Sequence, residues 1–453
     1  MEALMVFYRT VWKQLEAWKE SSYRKPLVVR GARQTGKTTL INEFGKTFDT
    51  FISLNLEHAA DRRMFEDNLP VGQLLQRICL EKRIVHTGKT LLFLDEIQQS
   101  PEAVAILRYF YEQLPNLFVI SAGSLLEVLM DSKSISFPVG RVEYLYLFPL
   151  SFREYLLALG DKESVKLVLQ IPYPQWAHDH LTSMFRSYMA TGGMPEVVAR
   201  YVATKDLSLC APVYASLLIA FQDDVAKYAK GNTELNVIRR VIEVAPSEVG
   251  NRIIFNKFGH TEYKSREVGN SLRVLERAML LYLRYPVIGV KLPLQQDFNK
   301  SPRLQFLDTG MLCYSVGAQA ALISDEKIDA VFDGMIAEHV VGQELMTTNT
   351  IQITKPLFWV RENPQTNAEL DFIRINGTEV MPIEVKAGKS GTLKSLHSFI
   401  ERSGLDKAIR FHDGEVSLDT LKTPKEGKEY RLLNLPLFVA QDVDKYWNHY
   451  FTT

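Results

Sequence analysis

The run Leu27-Val28-Val29 leads into Gly31-Ala32-Arg33-Gln34-Thr35-Gly36-Lys37-Thr38, and Thr39 to Phe44 then reads as a helix stopped by Gly45. A buried strand that hands over to a helix through a glycine-bearing turn has few architectural solutions. The strand lies in a mostly parallel sheet and the helix covers one of its faces. In such a turn the glycines let backbone N–H groups curl around a phosphate, and the helix N-terminus adds partial positive charge. Lys37 is expected to reach the β- and γ-phosphates and Thr38 to offer its hydroxyl to Mg²⁺, with Gly31, Gln34, Thr35, Gly36 and Thr39 completing the cradle. The ligand class is therefore a nucleoside triphosphate.

Four further apolar runs, Phe51 to Leu56, Leu91 to Leu94, Leu117 to Ile120 and Leu145 to Leu147, alternate with amphipathic stretches, which predicts a three-layer α/β unit. Leu91-Leu92-Phe93-Leu94 ends in Asp95-Glu96, and ligands in such sheets sit at strand C-termini. Asp95 is expected to hold Mg²⁺, and Glu96 to polarise the water that attacks a γ-phosphate. The next run leads into Ser121-Ala122-Gly123-Ser124, where Ser124 either senses the γ-phosphate or caps the following helix. Arg141, after Gly140, is a candidate finger aimed at a neighbour's phosphate, against the simpler reading of a surface arginine.

Arg30 to Thr39, Leu94-Asp95-Glu96-Ile97-Gln98, Gly140-Arg141 and Phe148-Pro149-Leu150-Ser151-Phe152-Arg153-Glu154-Tyr155 resemble successive signatures of a prokaryotic AAA+-type ATPase family. Members of that family carry a C-terminal domain with a restriction-endonuclease-like core. The resemblance implies ATP hydrolysis, with ATP and Mg²⁺ as cofactors and Arg141 supplied between subunits of a homo-oligomer, a hexamer by analogy. It names no substrate.

The 453-residue length gives room for about three domains, so linkers are expected. The 53 basic and 53 acidic residues cancel, so a nucleic-acid contact must come from a local patch. Cys79, Cys210 and Cys313 are far apart and form no C-x-x-C, so neither a zinc ribbon nor a disulfide framework is indicated and a cytoplasmic location is expected. The most apolar later stretch, Ala211 to Phe221, is too short to span a bilayer, so no membrane contact is expected.

After an ATPase core over residues 1–150, residues 151–230 read as a helical lid with a shaped turn at Gly192-Gly193-Met194. Asp223-Asp224 reads as a solvated or salt-bridged face, and His178-Asp179-His180 as a surface cluster without zinc-site spacing. Residues 231–303 resemble a winged helix, with helices expected at Leu235 to Val244, Ile253 to Phe258 and Ser265 to Tyr285. Twelve Lys/Arg face seven Asp/Glu between Glu234 and Arg303, and Lys264, Arg266, Arg273, Arg277 and Arg284 are expected to be free to meet DNA phosphate. A protein-docking module is the alternative.

Residues 304–453 read as a second α/β domain. Glu384 and Lys386, two apart on a strand, share a face, and Asp371 falls on the neighbouring hairpin strand. This matches the D…E-x-K arrangement of restriction-endonuclease-like enzymes. Asp371 and Glu384 are expected to bind Mg²⁺, Lys386 to act on the attacking water, and Glu338 resembles the helix glutamate that joins such sites. The combined expectation is an ATP-hydrolysing protein acting on DNA, with branched recombination intermediates such as Holliday junctions as a target and a Mg²⁺-dependent nuclease domain. The alternative is a nucleotide-dependent switch, or a defence ATPase, whose C-terminal domain binds protein or DNA without cutting.

Overall fold

The computed structural model describes residues 7–123, 140–226, 229, 231–324, 330–362, 367–388 and 392–452. Ser124, expected to sense phosphate or cap a helix, lies outside them.

Strands β1 (Leu27–Arg30), β2 (Thr50–Asn55), β3 (Thr90–Asp95), β4 (Phe118–Gly123) and β5 (Glu143–Tyr146) form one sheet in the order β2-β3-β4-β1-β5. All four pairings are parallel. A parallel sheet is covered on both faces, which is why these strands read as continuous apolar runs. Alternation along β3 sends Leu92 and Leu94 to the face packed by Leu74, Ile78, Leu107 and Phe110. Leu91 and Phe93 meet Leu15, Trp18, Leu40 and Phe44 on the other face. The expected three-layer unit is present, and β4 lies between β1 and β3.

Helices Phe152–Ala158, Lys162–Val168, His178–Thr191, Pro195–Thr204 and Ala211–Ala226 follow. The first starts in a capping box between Ser151 and Glu154. At the Gly192-Gly193 turn, a Cβ on Gly193 would lie 2.1 Å from the Leu150 carbonyl oxygen, so this joint closes only on glycine. His178 is buried, with Nδ1 2.7 Å from the Tyr173 hydroxyl, so only His180 of the expected surface histidines is exposed.

Beyond helix Asn232–Val244 the expected Ile253 to Phe258 helix is absent. Ile253 instead donates its N–H to the Pro302 carbonyl at 2.8 Å, and a short 3₁₀ turn occupies Phe258–His260. Helix Ser265–Arg277 stops eight residues before the expected Tyr285. Met279 enters the left-handed region at φ 59° and Leu280 N–H closes back on the Leu275 carbonyl. The chain continues as β6 (Leu281–Arg284), antiparallel to β8 (Arg303–Phe306). Four consecutive buried positions suit either a helix or a strand, and the pairing with β8 decided between them. Helix Ser265–Arg277 buries Val268, Leu272 and Leu275, each contributing about 1.5–3 kcal/mol.

The C-terminal sheet joins β7 (Pro286–Val287), β9 (Leu357–Arg361), β10 (Ala368–Asn376), β11 (Glu379–Val385), β12 (Lys407–His412), β13 (Ser417–Lys422) and β14 (Glu429–Pro436), in the order β13-β14-β12-β11-β10-β9-β7. It is mixed: β10 and β11 form an antiparallel hairpin, whereas β11, β12 and β14 run parallel. The boundary expected between residues 303 and 304 falls inside β8, and β7 is already a strand of this sheet. Helix Ala330–Met346 packs Ile336, Val340 and Leu345 into a core that also holds Phe152, Tyr188, Phe372 and Ile383. The helices between Phe152 and Thr204 and the C-terminal sheet therefore share one core. Among the described residues no helix is long and apolar enough to cross a membrane.

Candidate nucleotide site and C-terminal carboxylate centre

β1 delivers the chain into the Gly31 to Thr38 loop, and helix Lys37–Gly45 starts from Gly36 at φ 91°, a left-handed value that favours glycine. A Cβ at Gly31 would meet the Leu147 carbonyl oxygen at 2.4 Å and Thr35 Oγ1 at 2.9 Å, so the loop is closed tightly on its floor. Thr35 Oγ1 donates to the Ala32 carbonyl at 3.0 Å. Lys37 is buried and folds back over the loop, its Nζ donating to the Gly31 and Ala32 carbonyls at 3.0 and 2.8 Å. Burial lowers its pKa to about 8, opposed by the negative fields of Glu96 and Asp95.

β3 ends at Asp95, whose Oδ2 accepts from Thr38 Oγ1 at 2.8 Å. The hydroxyl and carboxylate expected to share a cation thus already touch. Glu96 turns sharply, at φ 51°, and its carboxylate accepts from the Gln98 amide. Burial raises the pKa of both Asp95 and Glu96. On β4, paired with Leu94, Ser121 Oγ is buried with no hydrogen-bond partner among the described residues. Mg²⁺ beside phosphates needs only one or two protein oxygens. The Thr38–Asp95 contact, the orphaned Ser121 hydroxyl and the tight glycine cradle fit Mg²⁺ and a nucleotide.

Two contacts at this site had no motif to announce them. Arg9, buried ahead of helix Trp12–Glu20, donates to the Thr35 carbonyl at 2.9 Å and the Phe148 carbonyl at 2.5 Å, tying the loop to the segment that leads into helix Phe152–Ala158. Arg33, inside the loop, pairs with buried Asp224 of helix Ala211–Ala226 at 2.8 Å. The Asp223-Asp224 pair is therefore salt-bridged through Asp224, and its partner is the loop itself. Arg141 is not brought to this loop in its own chain. It precedes β5, whose first residue pairs with Leu27 at the opposite end of β1, and its half-exposed side chain meets Glu112 at 3.1 Å.

The C-terminal residues expected to act together do converge. The β10–β11 register sets Phe372 opposite Ile383, so Asp371 and Glu384 fall side by side. Val385 N–H donates to Asp371 Oδ2 at 2.9 Å, and Lys386 Nζ lies 2.6 Å from Glu384 Oε1. Glu338 arrives from helix Ala330–Met346. Two arginines arrive with them. Arg303 pairs with Glu338, Glu369 and Asp371 at 2.6, 2.9 and 3.3 Å, and Arg284 pairs with Glu338 at 3.2 Å.

At Asp371 and Glu384, the residues expected to hold Mg²⁺, guanidinium groups and Lys386 stand among the carboxylates and supply positive charge. Among the described residues no group of three or more His, Cys, Asp or Glu is arranged to hold a metal ion. Arg284, expected to face DNA, is 2% exposed. Four of the twelve cations counted between Glu234 and Arg303, namely Arg252, Arg284, Lys300 and Arg303, pair with C-terminal carboxylates. Lys264, which caps helix Ser265–Arg277, and Arg266 and Arg273 on that helix remain exposed.

Residues 23–156 match a family model described as an AAA domain, so the chain carries an AAA-type P-loop domain. Residues 182–322 and 333–438 match two models, each described as a domain of unknown function, DUF8612 and DUF4143. A search of curated proteins returns no match. Among solved structures the chain is similar to a Walker-type ATPase of Pyrococcus abyssi, at 15% identity, TM-score 0.44, covering 69% of this chain and 96% of that one. It is also similar to the ORC2 protein of Aeropyrum pernix, solved in ADPNP–ADP complexes, at 11% identity, TM-score 0.35, covering 72% and 96%.

Proposed function

We propose that the protein is an ATP-hydrolysing conformational switch that engages DNA. The observation that carries the first half is the Thr38 Oγ1 contact with Asp95 Oδ2 beside a buried Lys37 and Glu96. Lys37 binds the β- and γ-phosphates of ATP, and the loop N–H groups orient them. Thr38 and Asp95 would hold Mg²⁺, which supplies charge neutralisation on the phosphate oxygens. Glu96 orients the attacking water and draws on its proton. The water oxygen bonds to the γ-phosphorus, the bond to the β-phosphate bridge breaks, and ADP and phosphate leave.

Switching follows from what surrounds the loop. Arg33 is held by Asp224 of the lid and Arg9 by the lid's leading segment, so a phosphate that repositions the loop moves both contacts. A homo-oligomer in which Arg141 reaches a neighbour's nucleotide belongs to this proposal. Its exposure in the chain described here supports that role.

DNA contact rests on the winged-helix-like module and the exposed face of Lys264, Arg266 and Arg273. Branched DNA is the finer form of the reading and rests on the restriction-endonuclease-like arrangement of Asp371, Glu384 and Lys386. Metal-dependent cleavage there is a second reading, favoured by the buried Glu384 Oε2, which has no hydrogen-bond partner among the described residues. The arginine pairing around Glu338 and Asp371 favours the switch.

Fluorescence anisotropy with duplex and four-way-junction DNA tests the DNA half. Arg266→Glu/Arg273→Glu is expected to weaken binding tenfold or more at low salt and to flatten its salt dependence. Unchanged affinity and salt slope would remove DNA from the proposal and leave the ATPase untouched.

A further inference from the structure

The carboxylate centre of the C-terminal domain is closed by residues that come from outside that domain's own hairpin. Arg303 and Arg284 face each other across the β6–β8 pair. Arg303 Nη1 donates to Glu338 Oε1 at 2.6 Å and lies 3.3 Å from Asp371 Oδ1. Arg284 donates to Glu338 Oε1 at 3.2 Å and, from Nη2, to the Asp371 carbonyl at 2.7 Å. Both side chains are more than nine-tenths buried, and the Arg284 guanidinium sits 4.3 Å from the Phe372 ring centroid.

A divalent cation entering this place would compete for the same oxygens. It would also stand beside two fixed positive charges, in surroundings too buried for water to screen them. The cluster still carries a deficit on its other side. Glu384 Oε2 is buried with no hydrogen-bond partner among the described residues, while its Oε1 is held by Lys386. A cluster built only to bury arginines has no need for this fourth carboxylate.

We propose that Arg303, backed by Arg284, is the resident cation of this centre, and that the β6–β8 pair acts as a built-in plug excluding divalent metal. With the plug seated, Asp371 and Glu384 bind no metal. With it withdrawn, they form a divalent-cation site. The plug is tied to the helix with the exposed cationic face. Glu276 on that helix accepts from Leu283 N–H of β6 at 2.7 Å and from Lys355 Nζ at 2.5 Å. A ligand that displaces the helix therefore pulls on β6. The inference goes beyond the ATPase reading and stands or falls separately from it.

The test is Mn²⁺ binding to the full chain without nucleotide, read from the free-Mn²⁺ electron paramagnetic resonance signal. Any Mn²⁺ held near Thr38 and Asp95 is common to every variant and cancels in the comparison. Wild type and Asp371→Asn are expected to give superimposable titrations. Arg303→Gln is expected to gain one Mn²⁺ site that wild type lacks, and Arg303→Gln/Asp371→Asn to lose it. Weakened Mn²⁺ binding in Asp371→Asn alone would overturn the proposal. So would a folded Arg303→Gln protein that gains no site. If Arg303→Gln does not fold, the wild-type comparison with Asp371→Asn decides the exclusion claim, and Glu384→Gln serves in the same comparison.

Discussion

Glu344→Gln is expected to stabilise the protein at alkaline pH and to leave it nearly unchanged at acid pH. Glu344, on helix Ala330–Met346, is 1% exposed. Its Oε1 accepts from the Phe152 N–H at 3.2 Å and lies 2.8 Å from the Tyr188 hydroxyl, so it fastens helix Ala330–Met346 to helices Phe152–Ala158 and His178–Thr191. Burial pushes its pKa from 4.5 to about 7, against the hydrogen bonds from Tyr188 and Phe152 and the nearby charge of Arg153. Below the unfolded value the carboxyl is protonated in both states and costs nothing. Between 4.5 and about 7 the unfolded chain releases its proton first, so stability falls as pH rises. Above that window the penalty is constant. At about 1.4 kcal/mol per pKa unit, the loss between pH 5 and pH 8 is about 2.5 kcal/mol. Glutamine keeps an oxygen for Phe152 and Tyr188 and cannot ionise. Urea denaturation followed by tryptophan fluorescence, run on both proteins at both pH values, reads the difference directly. Parallel pH profiles for wild type and variant would refute the reasoning.

With the pKa of Lys37 lowered to about 8, a fraction of the side chain is neutral amine near that pH, and this amine takes up a proton when phosphate binds. Calorimetric titration with ATP in two buffers of different ionisation enthalpy should show net proton uptake near pH 8 that is absent from Lys37→Ala. Gly31→Ala drives a Cβ to within 2.4 Å of the Leu147 carbonyl, and overpacking of this kind costs about 1–3 kcal/mol. A lowered thermal midpoint together with weakened nucleotide binding is the expected result.

The nucleotide site was legible because its demands are local. A strand, a glycine turn and a helix are contiguous, and Asp95-Glu96 declares itself at the end of an unbroken apolar strand. The hairpin bearing Asp371 and Glu384 was legible for the same reason, since alternation along two adjacent strands fixes which side chains share a face. What sequence could not give was the long-range counter-charge. Arg9, Arg33, Arg284 and Arg303 carry no motif that names their partners, which lie far along the chain: Asp371 is 68 residues from Arg303 and Asp224 is 191 from Arg33. Arg284 was assigned to DNA because Ser265 to Tyr285 carries a helical period. The left-handed turn at Met279 ends that helix and puts Arg284 on a buried strand. The plug and the misplaced helix end are thus one event, decided by β6 pairing with β8.

ATP hydrolysis at the Gly31 to Thr38 loop is tested most directly by Glu96→Gln. Glutamine keeps the size and the contact with Gln98 but cannot draw a proton from the attacking water. Single-turnover hydrolysis of γ-labelled ATP, with binding measured on the same preparations, is expected to show retained affinity and a rate reduced about 10²–10⁴-fold. Hydrolysis at the wild-type rate in Glu96→Gln, with nucleotide still bound, would contradict it.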